Sequence, residues 1–101
     1  MLLLALTLNA QAPNWTQGKV VAIATRPAAY RISPAVEYTI QVASTEYVVE
    51  QASRMFVKSP PKEIFSLSET VDMWKDGTTH VLLKSDTTER KRLRIVRVMR
   101  H

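Results

Sequence analysis

Apolar and polar residues alternate along several short stretches of this chain, which is the period-two pattern of a β-strand that buries one face. The clearest stretch is VEYTIQV at residues 36–42, where every second side chain is apolar. QGKVVAIAT at 17–25 is rich in Val and Ile, and EYVVE at 46–50 is placed to pair back on residues 36–42 as a hairpin. Asp76-Gly77 separates two further apolar stretches and is a strong hairpin signal. Together with a final strand near the C-terminus, the pattern predicts six short strands separated by turns.

Two prolines interrupt the pattern after the first strand. Pro27 and Pro34 each lack a backbone donor and disfavour helix in the residue before them. We therefore expect residues 26–35 to form a loop or an irregular edge.

The longest stretch without clean alternation is residues 52–69. Pro61 suits the first position of a helix, where its missing N–H has no partner to lose. We predict one short helical turn from Pro61 through Leu67, with Ile64, Phe65 and Leu67 closing one end of the sheet.

The length of 101 residues suits a single domain with one modest core. Six short strands and one short helical turn predict an all-β fold, a small antiparallel barrel of the SH3-like or OB-like kind. A helical turn between the third and fourth strands resembles the OB arrangement. A long first loop and closely spaced later hairpins resemble an SH3-like barrel, which we favour slightly.

The N-terminus has the features of an export signal. An apolar run from Leu2 to Leu8 precedes Ala10-Gln11-Ala12, which fits the small-x-small cleavage rule. We predict a signal peptide at residues 1–12, a single barrel domain at 13–101, and export to the periplasm or the outside of the cell. No Lys or Arg precedes the run, which argues against a signal peptide unless the natural start lies upstream. The alternatives are a hydrophobic first strand or a buried N-terminal helix. A membrane span is less favoured, because it needs about 20 apolar residues and this run is much shorter.

The positive charge is concentrated at the C-terminus. Lys and Arg number 14 against nine Asp and Glu, a net charge of +5. Residues 90–100 contain six of these cations, which leaves eight cations for nine acids elsewhere. Any preference for an anionic partner therefore depends on this last segment.

We predict that the last segment is a strand and not a helix, because in a helix its apolar residues would be spread around the whole circumference without forming one apolar face. Strict alternation from Leu93 would turn Arg97 inward, and an unpaired buried guanidinium is costly. We predict a β-bulge at Ile95-Val96, which turns Val96 and Val98 inward and Arg97 outward. Arg92, Arg94 and Arg97 are the candidate residues for binding an anion or a partner.

The sequence offers no recognisable catalytic, metal or cofactor motif. With no Cys there is neither a disulfide nor a thiolate ligand, and His80 and His101 lack a partner at ligand spacing. Gly18 and Gly77 are isolated, so no phosphate-binding loop or nucleophile elbow is present. Carboxylates such as Glu50 are expected on solvated faces. We predict that the protein has no cofactor and is not an enzyme.

The aromatic residues allow two interpretations. Several on one exposed face would form a platform for stacking bases. We favour the other interpretation, in which Tyr38, Tyr47, Phe65 and one tryptophan fill the core of this small domain.

Three segments carry a resemblance to known proteins. They are GKVVAI, VEYTIQV leading to EYVVE, and the ending VDMWKDGTTHVLLKSDTTERKRLRIVRV. In this layout the chain resembles a set of small exported bacterial proteins of β-barrel-like pattern that have no assigned function. The resemblance implies an extracytoplasmic barrel and transfers no catalytic or ligand residues.

The leading hypothesis is a non-enzymatic exported or periplasmic β-domain that binds a protein, an envelope polymer or an anionic surface. The alternative is a cytoplasmic nucleic-acid-binding barrel that uses the basic last strand. Catalysis by an unrecognised site is a third and weaker option. The oligomeric state is left open by the sequence.

Overall fold

The computed structural model describes residues 15–27, 34–52 and 59–101. They contain six β-strands, which are all antiparallel and close into one barrel. The strands are β1 (Thr16–Pro27), β2 (Pro34–Val42), β3 (Thr45–Ala52), β4 (Thr70–Asp76), β5 (His80–Lys84) and β6 (Lys91–Arg100). The predicted six-stranded all-β barrel is confirmed. The predicted signal peptide, residues 1–12, lies outside the described residues.

The barrel consists of two three-stranded meanders, β1-β2-β3 and β4-β5-β6. Pairing of β3 with β6 and of β1 with β4 joins the meanders and closes the sheet. The closed sheet has one strand more than the five-stranded OB-fold.

The connection between β1 and β2 is shorter than the sequence predicts. β1 continues to Pro27, β2 begins at Pro34, and these two prolines pair with each other in the register. Proline is tolerated at strand ends because its missing N–H is not needed there. The two ends of the predicted loop at 26–35 are therefore strand, and its centre, residues 28–33, lies outside the described residues.

The barrel interior is filled by apolar side chains from all six strands. The rings of Tyr38 and Phe65 meet edge to face in this buried cluster, with their centroids 5.5 Å apart. The other members of the buried cluster are Val20, Val36, Ile40, Val49, Val71, Met73, Val81, Leu83 and Leu93. Tyr47 packs at the border of this cluster. Trp15 and Trp74 are not part of it, so the expectation that a tryptophan fills the core is wrong.

Gly18 allows β1 and β2 to approach closely. A Cβ atom at Gly18 would lie 2.9 Å from a methyl carbon of Ile40 and 2.9 Å from one of Val42. Carbon atoms in contact prefer separations of about 3.5–4.0 Å. Glycine is therefore required here by packing, not by backbone conformation.

Residues 59–69, which we call the plug, contain no helix. The N–H of Ile64 donates to the Tyr38 hydroxyl at 2.9 Å, and the N–H of Ser66 donates to Oε1 of Glu69 at 2.8 Å. These N–H groups are satisfied by side chains instead of by carbonyls one turn earlier. The predicted helical turn at Pro61–Leu67 is wrong for this reason.

The plug covers the barrel with fewer residues than the sequence suggests. Phe65 is buried and Ile64 is half-buried, as predicted, but Leu67 is 61% exposed. The chain reverses after Leu67, because Ser68 has a φ of 70° and its N–H donates to the carbonyl of Val20 at 2.7 Å. This reversal turns Leu67 away from the core.

Two groups that hold the plug have shifted pKa values. Burial raises the pKa of the Tyr38 phenol, and the backbone N–H groups of Ile64 and Phe65 partly offset this effect. A hydrogen bond from Ser85 lowers the pKa of the Glu69 carboxyl, with further donors acting in the same direction. The plug is thus fastened by a neutral phenol and an ionised carboxylate.

Candidate functional site

The last strand contains the predicted bulge. Val49 of β3 pairs with Ile95, whereas the preceding residue, Val48, pairs with Arg97. Val96 is therefore the extra residue on β6, and the bulge expected at Ile95-Val96 is confirmed. Its effect on Arg97 is also as expected, because Ile95 packs against the core while Arg97 is exposed.

The two valines of β6 are less buried than predicted. Val96, the bulge residue, is half-buried. Val98 pairs with Tyr47 at the border of the core, yet its side chain is 43% exposed. The strand therefore contributes to the interior mainly through Leu93 and Ile95.

Arg92, Arg94 and Arg97 are all exposed on β6. Arg92 and Arg94 alternate with the buried Leu93, and the bulge keeps Arg97 on the same outer side. The structure thus brings together the three candidate residues, and we call this surface the arginine face.

Acids lie beside two of these three arginines. Nε of Arg92 donates to Oδ2 of Asp76 at 2.8 Å. Arg94 stands opposite Glu50 in the register of β3 and β6, while Arg97 stands opposite Val48. The arginine face is therefore a surface of mixed charge whose cations outnumber their acidic neighbours.

Glu50 departs from the expectation of a solvated carboxylate. Its side chain lies on the outer side of β3, yet the residue is only 7% exposed. Together with Ala52, His80, Arg92 and Arg94 it lines a cleft of about 250 Å³. Sequence reasoning missed this cleft, because the pattern of a strand does not show which outward residues become covered.

Both tryptophans lie on the barrel exterior. Trp74 is 38% exposed, and its ring meets that of Trp15 edge to face with the centroids 6.1 Å apart. Nζ of Lys84 lies 4.4 Å from the centre of the Trp15 ring, a cation–π contact. The alternation of β4 indicated an outward position for Trp74, because Trp74 lies on the same face of the strand as the polar Asp72.

Both histidine side chains contact polar side chains. Nδ1 of His80 lies 2.8 Å from Oγ1 of Thr79, and Nε2 of His101 lies 3.3 Å from Oε1 of Glu46. Within residues 15–27, 34–52 and 59–101, His, Asp and Glu side chains form no group of three or more suited to a metal ion. The same residues include no helix with the length and apolar composition needed to cross a bilayer.

Comparisons of the chain with family models, with curated proteins and with solved structures found no match. The resemblance to small exported bacterial proteins therefore stays a prediction.

Proposed function

We propose that this protein is a non-catalytic binding domain whose arginine face binds an anionic partner, either an acidic segment of a protein or an envelope polymer. The observation that carries this proposal is the bulge at Val96. It keeps Arg97 on the same side as Arg92 and Arg94, which gives the outer side of this strand three exposed guanidinium groups.

The ion pair of Arg92 is compatible with this role. It uses Nε, whereas a guanidinium has five N–H donors, so the Nη groups remain for a partner. The Arg92 and Asp76 side chains are 57% and 48% exposed, and exposed pairs contribute about 0–1 kcal/mol. Replacing Asp76 by an acid of the partner therefore costs little.

Binding to a model acidic polymer tests the proposal. We expect the full chain to bind labelled poly-L-glutamate or polygalacturonate in a fluorescence anisotropy titration, with affinity that falls as ionic strength rises. Arg97→Gln is expected to weaken binding several-fold. Lys19→Gln, which removes an exposed cation of β1, is the matched control and is expected to have little effect. Absence of binding to both polymers at low salt would contradict the proposal.

The export proposal is supported by the sequence of residues 1–12 and has its own test. Fractionation of the native host is expected to place the protein in the periplasm or the medium, and mass spectrometry is expected to find a chain that begins near Pro13. Retention in the cytoplasm with Met1 intact would contradict export.

The tryptophan pair favours a second candidate function, the binding of single-stranded nucleic acid. An exposed aromatic ring next to cations is the usual arrangement for stacking bases and neutralising phosphates. Trp74 is exposed, and Lys84 contacts its neighbour Trp15. This function predicts that oligothymidylate quenches tryptophan fluorescence and that the quenching depends steeply on salt concentration. Trp74→Leu is expected to abolish the quenching. A flat titration at low salt would remove this candidate.

We also propose that the barrel is of the SH3-like kind. SH3-like and OB-like barrels bind peptides and nucleic acids on their outer surfaces, and an all-β closed sheet with an exposed binding strand is compatible with that use. We retain the SH3-like prediction over the OB-like one, since the described part of the connection between β3 and β4 contains no helix.

A further inference from the structure

The cleft on the outer side of β3, β5 and β6 has the dimensions of a site for one small group. Its volume is about 250 Å³, which is below the usual range for drug-sized ligands. The register explains its shape, because Arg94 lies between Glu50 of β3 and His80 of β5. The short side chain of Ala52 leaves space beside them.

Contacts with neighbouring residues orient two of the side chains that line the cleft. Asp76 accepts from Nε of Arg92 at 2.8 Å, and Thr79 contacts Nδ1 of His80 at 2.8 Å. These contacts leave the Nη groups of Arg92 and Nε2 of His80 for a ligand. Oriented guanidinium donors are the usual recognition elements for phosphate and carboxylate oxygens.

The carboxylate of Glu50 adds selectivity to these donors. An ionised carboxylate only accepts hydrogen bonds, so it repels an oxyanion that carries no proton. An oxyanion with one O–H group can instead donate to Glu50 while its other oxygens accept from the arginines. Phosphate monoesters carry such a proton near pH 6, because their second pKa is about 6. Sulfate and phosphate diesters do not.

We propose that this cleft binds a monoprotonated phosphate group, with Arg92, Arg94 and His80 donating to its oxygens and Glu50 accepting its O–H hydrogen. The proposal rests on the proposed function, since it uses two arginines of the arginine face. It narrows the anionic partner to free phosphate or to a molecule with a phosphate monoester. Because Glu50 and Asp76 offset the two guanidinium charges, we expect affinity for the isolated ion on the order of millimolar.

Amide chemical shifts of the full chain, titrated at about pH 6 and constant ionic strength, test this proposal. The probes are inorganic phosphate, methyl phosphate, dimethyl phosphate and sulfate. Inorganic phosphate is expected to shift the signals of Thr79, His80 and Arg94, with sulfate and dimethyl phosphate bound at least about fivefold more weakly. Equal binding of methyl phosphate assigns the site to a monoester, and weaker binding of methyl phosphate assigns it to free phosphate. Sulfate that binds as tightly as phosphate would overturn the proposal.

Three variants refine the test. Glu50→Gln replaces the acceptor by an amide that also donates, so the preference for phosphate over sulfate is expected to disappear. Arg92→Gln, at an exposed position where misfolding is not expected, should weaken phosphate binding about tenfold. Lys19→Gln changes an exposed residue of β1 outside the cleft and should leave phosphate binding unchanged. Unchanged phosphate affinity in Arg92→Gln would overturn the proposal even if Glu50→Gln does not fold.

Failure of the phosphate site can be distinguished from failure of the proposed function. Binding of poly-L-glutamate without any selectivity for phosphate would retain the arginine face and overturn the cleft. Binding of phosphate at Thr79 and His80 without binding of acidic polymers would retain the cleft and contradict the wider role of the arginine face.

Discussion

Arg92 and Asp76 form an ion pair across a strand that separates them. The two atoms, Nε and Oδ2, lie 2.8 Å apart, with Arg92 on β6 and Asp76 on β4. The contact therefore passes over the outer side of β5, which lies between those strands. It orients one guanidinium of the arginine face against the sheet.

A double-mutant cycle measures how much this pair stabilises the fold. Because both side chains are about half exposed, we expect Arg92→Ala and Asp76→Ala to show a coupling free energy below about 1 kcal/mol in urea unfolding. The coupling should shrink further as salt is added. A coupling above about 2 kcal/mol would mean that the pair is mainly structural and not free to exchange its partner.

Single cysteines test the bulge at Val96. The chain has no native Cys, so a thiol reagent reports only the introduced residue. Arg97→Cys is expected to react rapidly in the folded protein, whereas Leu93→Cys, at a position that is 3% exposed, should react only as the protein unfolds. Protection of Arg97→Cys would contradict the bulge.

The Tyr38 hydroxyl is expected to hold the plug on the barrel. It accepts from the N–H of Ile64 at 2.9 Å and donates to Oε1 of Gln51 at 3.2 Å. Tyr38→Phe leaves the Ile64 N–H without this acceptor, so we expect a loss of about 1–3 kcal/mol in urea unfolding. Tyr47→Phe, at the border of the core, is the matched control and should cost less. Equal effects in the two variants would contradict this role.

Alkaline pH provides an independent test of the same phenol. Burial raises the pKa of Tyr38 in the folded state, so its stabilising contribution is present below the unfolded pKa of about 10 and is lost as pH rises through the folded value. The wild type should therefore lose stability more steeply than Tyr38→Phe above about pH 10, as measured by the unfolding free energy at each pH. Parallel curves for the two proteins would show that Tyr38 does not titrate differently in the folded state.

The strands and the bulge could be predicted from the sequence because they follow from local rules. Alternation placed the strands, and the cost of burying Arg97 located the extra residue of β6. The shape of the plug could not be predicted, because Ile64 donates to Tyr38, 26 positions earlier in the chain. Local helix signals such as Pro61 do not show such a distant partner.

The candidate site was only partly predictable for a related reason. The three arginines could be placed on one outer face from β6 alone. The neighbours of these arginines depend on strand order, which brings Asp76 over β5 and Glu50 beside Arg94. The tryptophans show a different error, because the need to fill a small core suggested that one of them is buried, although the alternation of β4 indicated an outward position for Trp74.

The most direct test of the proposed function compares two charge-matched triple variants. One replaces Arg92, Arg94 and Arg97 by Gln, and the other replaces the exposed Lys19, Lys62 and Lys75 by Gln, so that both have the same net charge. The quantity to measure is the Kd for poly-L-glutamate at low ionic strength. We predict at least about a tenfold weaker Kd for the arginine variant and less than about a threefold change for the lysine variant, since only the former loses the guanidinium groups that bind carboxylates. Equal weakening in the two variants would show that binding follows net charge, and would contradict a binding site on the outer face of β6.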